Sequence, residues 1–135
     1  MIIFKYRKEE SRRGDTVHRP VADVEFKAKN GEWIEDHLYI DSGADITLLP
    51  LSFGKLLGFD IIKEEIEELY GVEGRGIPVI FKRVDVKIEN YGFKLKVAWA
   101  LIEEVPPLLG RLGVFDNFHI NFKQDERIIE FVKVK

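Results

Sequence analysis

Cysteine is absent from this 135-residue chain, and with it go disulfides, thiol nucleophiles and cysteine-based metal sites. An excess of charge of either sign is missing too. The 21 Lys and Arg nearly balance the 24 Asp and Glu, leaving a net charge of -3 and a pI near 5.7. That balance removes the bulk electrostatic case for nucleic acid or an anionic membrane surface. Long apolar runs are lacking: no window approaches the roughly 18 residues of a membrane span. The opening MIIFKYRKEE holds only a three-residue apolar run before Phe4, far short of a signal peptide core. Repeats, linkers and low-complexity segments are likewise absent. What remains, 45% hydrophobic and 33% charged, describes a soluble globular protein. The expected location is cytoplasmic, and the length suits one domain, residues 1–135, that buries a real core.

Strand signals dominate. VADVEFKA (21–28) alternates apolar and polar residues, KNGE supplies an Asn-Gly turn, and WIEDHLYI (33–40) returns. IPVIFKRVDVKIE (77–89) and FKLKVAWALI (93–102) flank NYG, and FHINF (118–122) and RIIEFVKV (127–134) flank KQDE. Three hairpins predict an all-β, mainly antiparallel sheet or barrel. Helical signals are few. PLSFGKLLG (50–58) opens on Pro50 and closes at Gly58, and GRLGVFDN (110–117) suits a second short helix. DIIKEEIEELYG (60–71) fits a helix face or a strand equally well. Residues 1–19 read as an N-terminal strand or extension, with the charged patch at 7–13 a solvated surface or frayed edge.

The chemistry lies in LYIDSGADITLLP (38–50), where Asp41 and Asp45 stand in an otherwise apolar run. A carboxylate there is costly unless partnered or used. Gly43 permits a tight turn in which backbone N–H groups can hold an acid in place. DSGAD, preceded by LYI and followed by ITLLP, resembles the active-site loop of the retroviral-type (retropepsin-like) aspartic proteases. PPLLGR (106–111) is similar to that family's second signature, two aliphatic residues followed by Gly-Arg. YGVEGRGIP (70–78), with Gly71, Gly74 and Gly76, sits where the family has its glycine-rich flap. The likeness runs over about residues 20–134 in order of elements. Departures are Ser42 in place of the commoner Thr, a longer N-terminus, and a different spacing of flap glycines.

The resemblance implies a closed, retropepsin-like β-barrel with one or two short helices that acts as half of a homodimer. It implies an aspartic endopeptidase in which Asp41 is catalytic, while Ser42, Gly43, Asp45 and Arg111 support the loop, with Asp45 paired to Arg111. One chain carries one Asp-Ser-Gly, so the second carboxylate must come from a symmetry mate. Gly43, Ala44, Asp45, Ile46, Gly74, Gly76, Val105, Pro106 and Leu108 are the implied substrate-binding residues, for an extended or unfolded peptide. No cofactor, metal, nucleic acid or membrane partner is expected.

Plainer readings stand beside these. DSGA also suits an ordinary turn, Arg111 a surface arginine, and the three glycines a simple hairpin loop. The glycine order and the lack of a following Gly-Lys-Ser/Thr count against a phosphate-cradling loop. His18, His37 and His119 are scattered without metal-ligand spacing. Trp33 and Trp99 read as packing residues. The competing function is a silent retropepsin-like module that dimerises and grips peptides. A single-stranded nucleic acid barrel using some of the 10 Phe as stacking platforms fits the acidic pI poorly.

Overall fold

Alternation decides most of the architecture. In Val21–Lys27, the residues Ala22, Val24 and Phe26 are fully buried while Asp23 and Lys27 face water, so one face of the strand joins a core. The computed structural model describes all residues except Val72, Glu73 and Arg75. In chain order its strands are β1 (Ile2–Lys5), β2 (Arg7–Glu10), β3 (Thr16–Arg19), β4 (Val21–Lys27), β5 (Trp33–Ile40), β6 (Thr47–Leu49), β7 (Glu67–Tyr70), β8 (Gly76–Ile88), β9 (Tyr91–Ala100), β10 (Leu108–Leu109), β11 (Phe118–Lys123) and β12 (Ile128–Lys133), with one α-helix, α1 (Leu51–Leu56), after β6.

Six strands close into a barrel in the order β4-β5-β10-β6-β9-β8, and β8 returns to β4 through Glu25–Lys87 and Phe26–Val86. Closure leaves the barrel without unpaired edges. Two pairings are parallel, β5 with β10 and β6 with β9; the others are antiparallel. β7 extends the sheet beyond β8 as a hairpin arm, with Tyr70 opposite Gly76. A separate antiparallel sheet, β1-β12-β11, packs against the barrel, and β2 and β3 form a small hairpin of their own.

The core has two parts. The larger fills the barrel and reaches the β1-β12-β11 sheet through Phe118, whose ring meets Tyr91 at 5.9 Å and Phe93 at 6.0 Å on β9 and Phe131 at 5.5 Å within its own sheet. The smaller gathers Leu48, Val79, Ala98 and Ala100 with Ile46, Val105 and Leu108 beneath the β7–β8 arm. β9 serves both, so Val97 through Ala100 are all fully buried and its alternation disappears. Trp99 lies against α1, donating its indole N–H to the Leu51 carbonyl at 3.1 Å.

The three hairpins form where expected, with shifted turns. The first turn is a five-residue loop, since Lys27 pairs with Trp33. The second is Glu89-Asn90, with Tyr91 and Gly92 already inside β9, because Ile88 pairs with Tyr91 and Glu89 takes a positive φ of 54°. In the third, Arg127 is left-handed at φ 59°. α1 follows Pro50 as anticipated. Residues 110–117 form successive turns around Arg111 and Val114 and no regular helix, because Gly113 at φ 78° breaks the helical path. The ambiguous 60–71 segment contains a short 3-10 turn, Lys63–Glu65, and then β7. The charged 7–13 stretch contains β2, so it is ordered rather than frayed. No helix among the described residues is long and apolar enough to cross a membrane.

Phe118 joins the second sheet to the barrel, so Phe118→Ala should cost about 3–5 kcal/mol. Urea unfolding checks this. The midpoint should fall with little change in slope, and a loss below about 1 kcal/mol would show that the aromatic contacts do not hold the sheet.

Candidate active site

β5 delivers Asp41 to the end of its pairing with β10. Tyr39 lies beside Leu108 and Ile40 beside Leu109, and the Asp41 N–H then donates to the Leu109 carbonyl at 3.0 Å. The chain turns at once: the Ala44 N–H donates to the Asp41 carbonyl at 3.1 Å, and the Gly43 N–H donates to the Asp41 carboxylate Oδ1 at 2.9 Å. The half-buried carboxylate is thus aimed by the turn that follows it. A Cβ on Gly43 would stand 3.3 Å from that same oxygen, so the glycine serves close approach, not a positive φ. Ser42 is exposed.

The second motif is stitched to the first by backbone. The Arg111 N–H donates to the Ala44 carbonyl and the Leu112 N–H to the Asp45 carbonyl, both at 2.9 Å. The Gly110 N–H donates to Oγ1 of Thr47 at 3.1 Å, and Thr47 is fully buried. Gly110 runs so close to β6 that a Cβ would overlap the Ile46 carbonyl and approach the Thr47 nitrogen to 2.8 Å. Here one expectation is corrected. Asp45 and Arg111 line one shallow depression, yet their side chains are exposed and do not pair among the described ion pairs. Exposed pairs contribute only about 0–1 kcal/mol, so water solvates both groups while the main chain does the bracing.

Two depressions flank the turn and share Leu108. One, of about 480 Å³, is lined by Asp41, Pro106 and Leu108, together with Glu9, Arg19 and Tyr39. The other, of about 520 Å³, gathers Gly43, Ala44, Asp45, Ile46 and Leu108 under Leu69, Tyr70, Gly71 and Ile77 of the β7–β8 arm. Most of the substrate-binding residues inferred from sequence therefore converge. Val105 does not line either depression and packs in the smaller core. Gly74 and Gly76 lie on the arm outside both linings, and the neighbouring Val72, Glu73 and Arg75 fall outside the described residues.

Sequence reasoning missed Glu9, Arg19 and Tyr39. The Tyr39 hydroxyl donates to Glu9 Oε2 at 2.8 Å, and Arg19 Nε lies 3.0 Å from Glu9 Oε1. Burial first, then the bond to Glu9, raises the Tyr39 phenol above its ordinary range and keeps it a neutral donor. Tyr39 stands two residues before Asp41, on the same side of the strand by alternation, and that was the available signal. Among the described residues, Asp23, Glu35 and His37 bring donor atoms within 4.8 Å of one another, which their scattered sequence positions did not suggest. All three are exposed on the outer face of β4 and β5, and His37 Nδ1 already bonds Asp23.

The fold is similar to that of a retropepsin-like aspartic protease from Rickettsia conorii, with a TM-score of 0.62 and 21% identity over 95% of each chain. It is also similar to EIAV protease complexed with the inhibitor HBY-793, with a TM-score of 0.55 and 23% identity over 73% of this chain and 86% of that one. No family model matches the sequence, and no curated protein does. The chain has the retropepsin-like fold, and its structural neighbours are aspartic proteases.

Two substitutions test the stitch. Gly110→Ala should destabilise by about 1–3 kcal/mol through overpacking. Thr47→Val should cost about 1–3 kcal/mol by leaving the Gly110 N–H without its acceptor. Thermal unfolding reads both, and unchanged midpoints would mean that the two motifs are not held together by this contact.

Proposed function

We propose that the protein is an aspartic endopeptidase, acting through residues 1–135 as one domain, and that its working form is a homodimer. The observation that carries this reading is the Asp41 carboxylate, held by the Gly43 N–H at the mouth of a depression and backed by the Gly110-Arg111 segment. Hydrolysis of this kind needs two carboxylates about 3 Å apart sharing one proton, since like charges that close cannot both ionise. A single Asp-Ser-Gly in the chain makes the second carboxylate the Asp41 of a two-fold mate.

The ionised Asp41 takes a proton from water as that water attacks the peptide carbonyl, while the protonated Asp41 donates to the developing oxyanion. The leaving nitrogen collects a proton as the C–N bond breaks. Peptide lies extended, as an added strand between the turn and the β7–β8 arm, and the Gly43 carbonyl accepts one of its N–H groups. Ala44, Ile46 and Leu108 receive apolar side chains. Ser42, exposed beside the dyad, crosses to the mate and locks the two turns together. The arm covers the bound chain, with the glycines at 71, 74 and 76 as its hinge.

Asp41→Asn should abolish hydrolysis of an unfolded protein substrate while the sample keeps its fold and a solution mass of twice the 15.7 kDa chain. Full activity in a pure Asp41→Asn sample, or a monomer that cleaves, overturns the reading. For the wild-type protein, rate against pH should form a bell on the acidic side, and a statine peptide should inhibit. A rate that only climbs toward alkaline pH contradicts a shared proton.

A further inference from the structure

The depression beside Asp41 has an apolar floor and a charged wall. Pro20, Ile40, Pro106 and Leu108 form the floor. The wall comes from the β2–β3 hairpin, where Arg7 and Arg19 stand directly opposite each other and Glu9 shares their face by alternation. Like charges opposed across two strands are unfavourable unless something offsets them. Glu9 does so, with Arg19 Nε at 3.0 Å, Arg7 at 3.4 Å and the Tyr39 hydroxyl at 2.8 Å. The Glu9 side chain is only 22% exposed and its acceptors are engaged. The guanidiniums are not spent. Each has five N–H donors, the Arg19 side chain is 50% exposed, and its ion pair with Glu9 is made at Nε. Arg19 is the cation that lines the depression, beside the carboxylates of Glu9 and Asp41.

We propose that Arg19, positioned by Glu9 and Tyr39, selects a substrate residue beside the scissile bond whose long apolar stem ends in a carbonyl or carboxylate: glutamine or glutamate. The stem lies on Pro106 and Leu108, and the terminal oxygen accepts from the free guanidinium N–H groups of Arg19. This inference rests on the endopeptidase reading. In a two-fold dimer each protomer presents one such pocket, so the preference recurs on both sides of the cut bond.

The test is a set of peptides identical except for the residue flanking the bond, carrying Gln, Glu, Leu or Lys. For wild-type protein, kcat/KM for Gln and Glu should exceed that for Lys by about tenfold or more, since a site built to donate hydrogen bonds rejects a side chain that cannot accept them. Arg19→Met should lower the Gln-to-Leu ratio about tenfold, and Arg19→Lys should restore part of the preference for Glu. Calorimetry with uncleavable statine peptides bearing Gln or Leu reads the same preference without turnover. Cleavage with a profile that favours Lys, or a Gln-to-Leu ratio unmoved in Arg19→Met, overturns this inference and leaves the endopeptidase reading intact. If wild-type protein cleaves none of the peptides and binds no statine peptide, both fall together.

Discussion

Everything at this site depends on the contact between two segments some sixty residues apart in sequence. The Gly110 N–H enters the barrel wall and finds the buried hydroxyl of Thr47, while the two residues after it donate to the carbonyls of Ala44 and Asp45. A buried N–H without an acceptor is expensive, so the contact fixes the approach of the strands as well as their pairing. Only a residue without a side chain can come that close to Ile46. The turn carrying Asp41 is therefore braced from behind by main chain, and its carboxylate orientation follows from local geometry instead of a charged neighbour.

The barrel explains why such a turn can face solvent without loosening. Closure through β4 and β8 removes the unpaired edges, and the larger core, among the barrel strands and the β1-β12-β11 sheet, reaches the base of the turn through Ile40 and Leu109. The smaller core sits under the β7–β8 arm and shares Ile46 and Leu108 with the cleft. Those residues have two duties. Their packing holds the arm near the turn, and their exposed surfaces give the cleft its apolar lining.

The N-terminal hairpin changes the character of the cleft. Sequence patterning presented 7–13 as a solvated surface or frayed edge; most of it is exposed, while β2 and β3 place Arg7, Glu9 and Arg19 on one face that meets Tyr39 next to Asp41. A cleft whose central motifs supply acids and apolar side chains acquires a wall of mixed charge from a part of the chain outside them.

The periodicity of β4, β5, β8, β11 and β12 was readable in sequence because each buries one face and exposes the other. DSGAD and LLGR were readable because tight turns and close approaches admit few residue types. The segment at 60–71 resisted, since β7 borders the cleft on an arm where local pattern is weak. The proposed pairing of Asp45 with Arg111 also did not follow, because adjacency in the fold leaves both side chains in water. The chain alone thus determined that an acid would stand at a strand end behind a glycine turn, a matter of local sterics and burial. Barrel closure and sheet register decided what surrounds that acid, since Tyr39, Glu9, Arg19 and Leu108 meet only through pairings among distant strands.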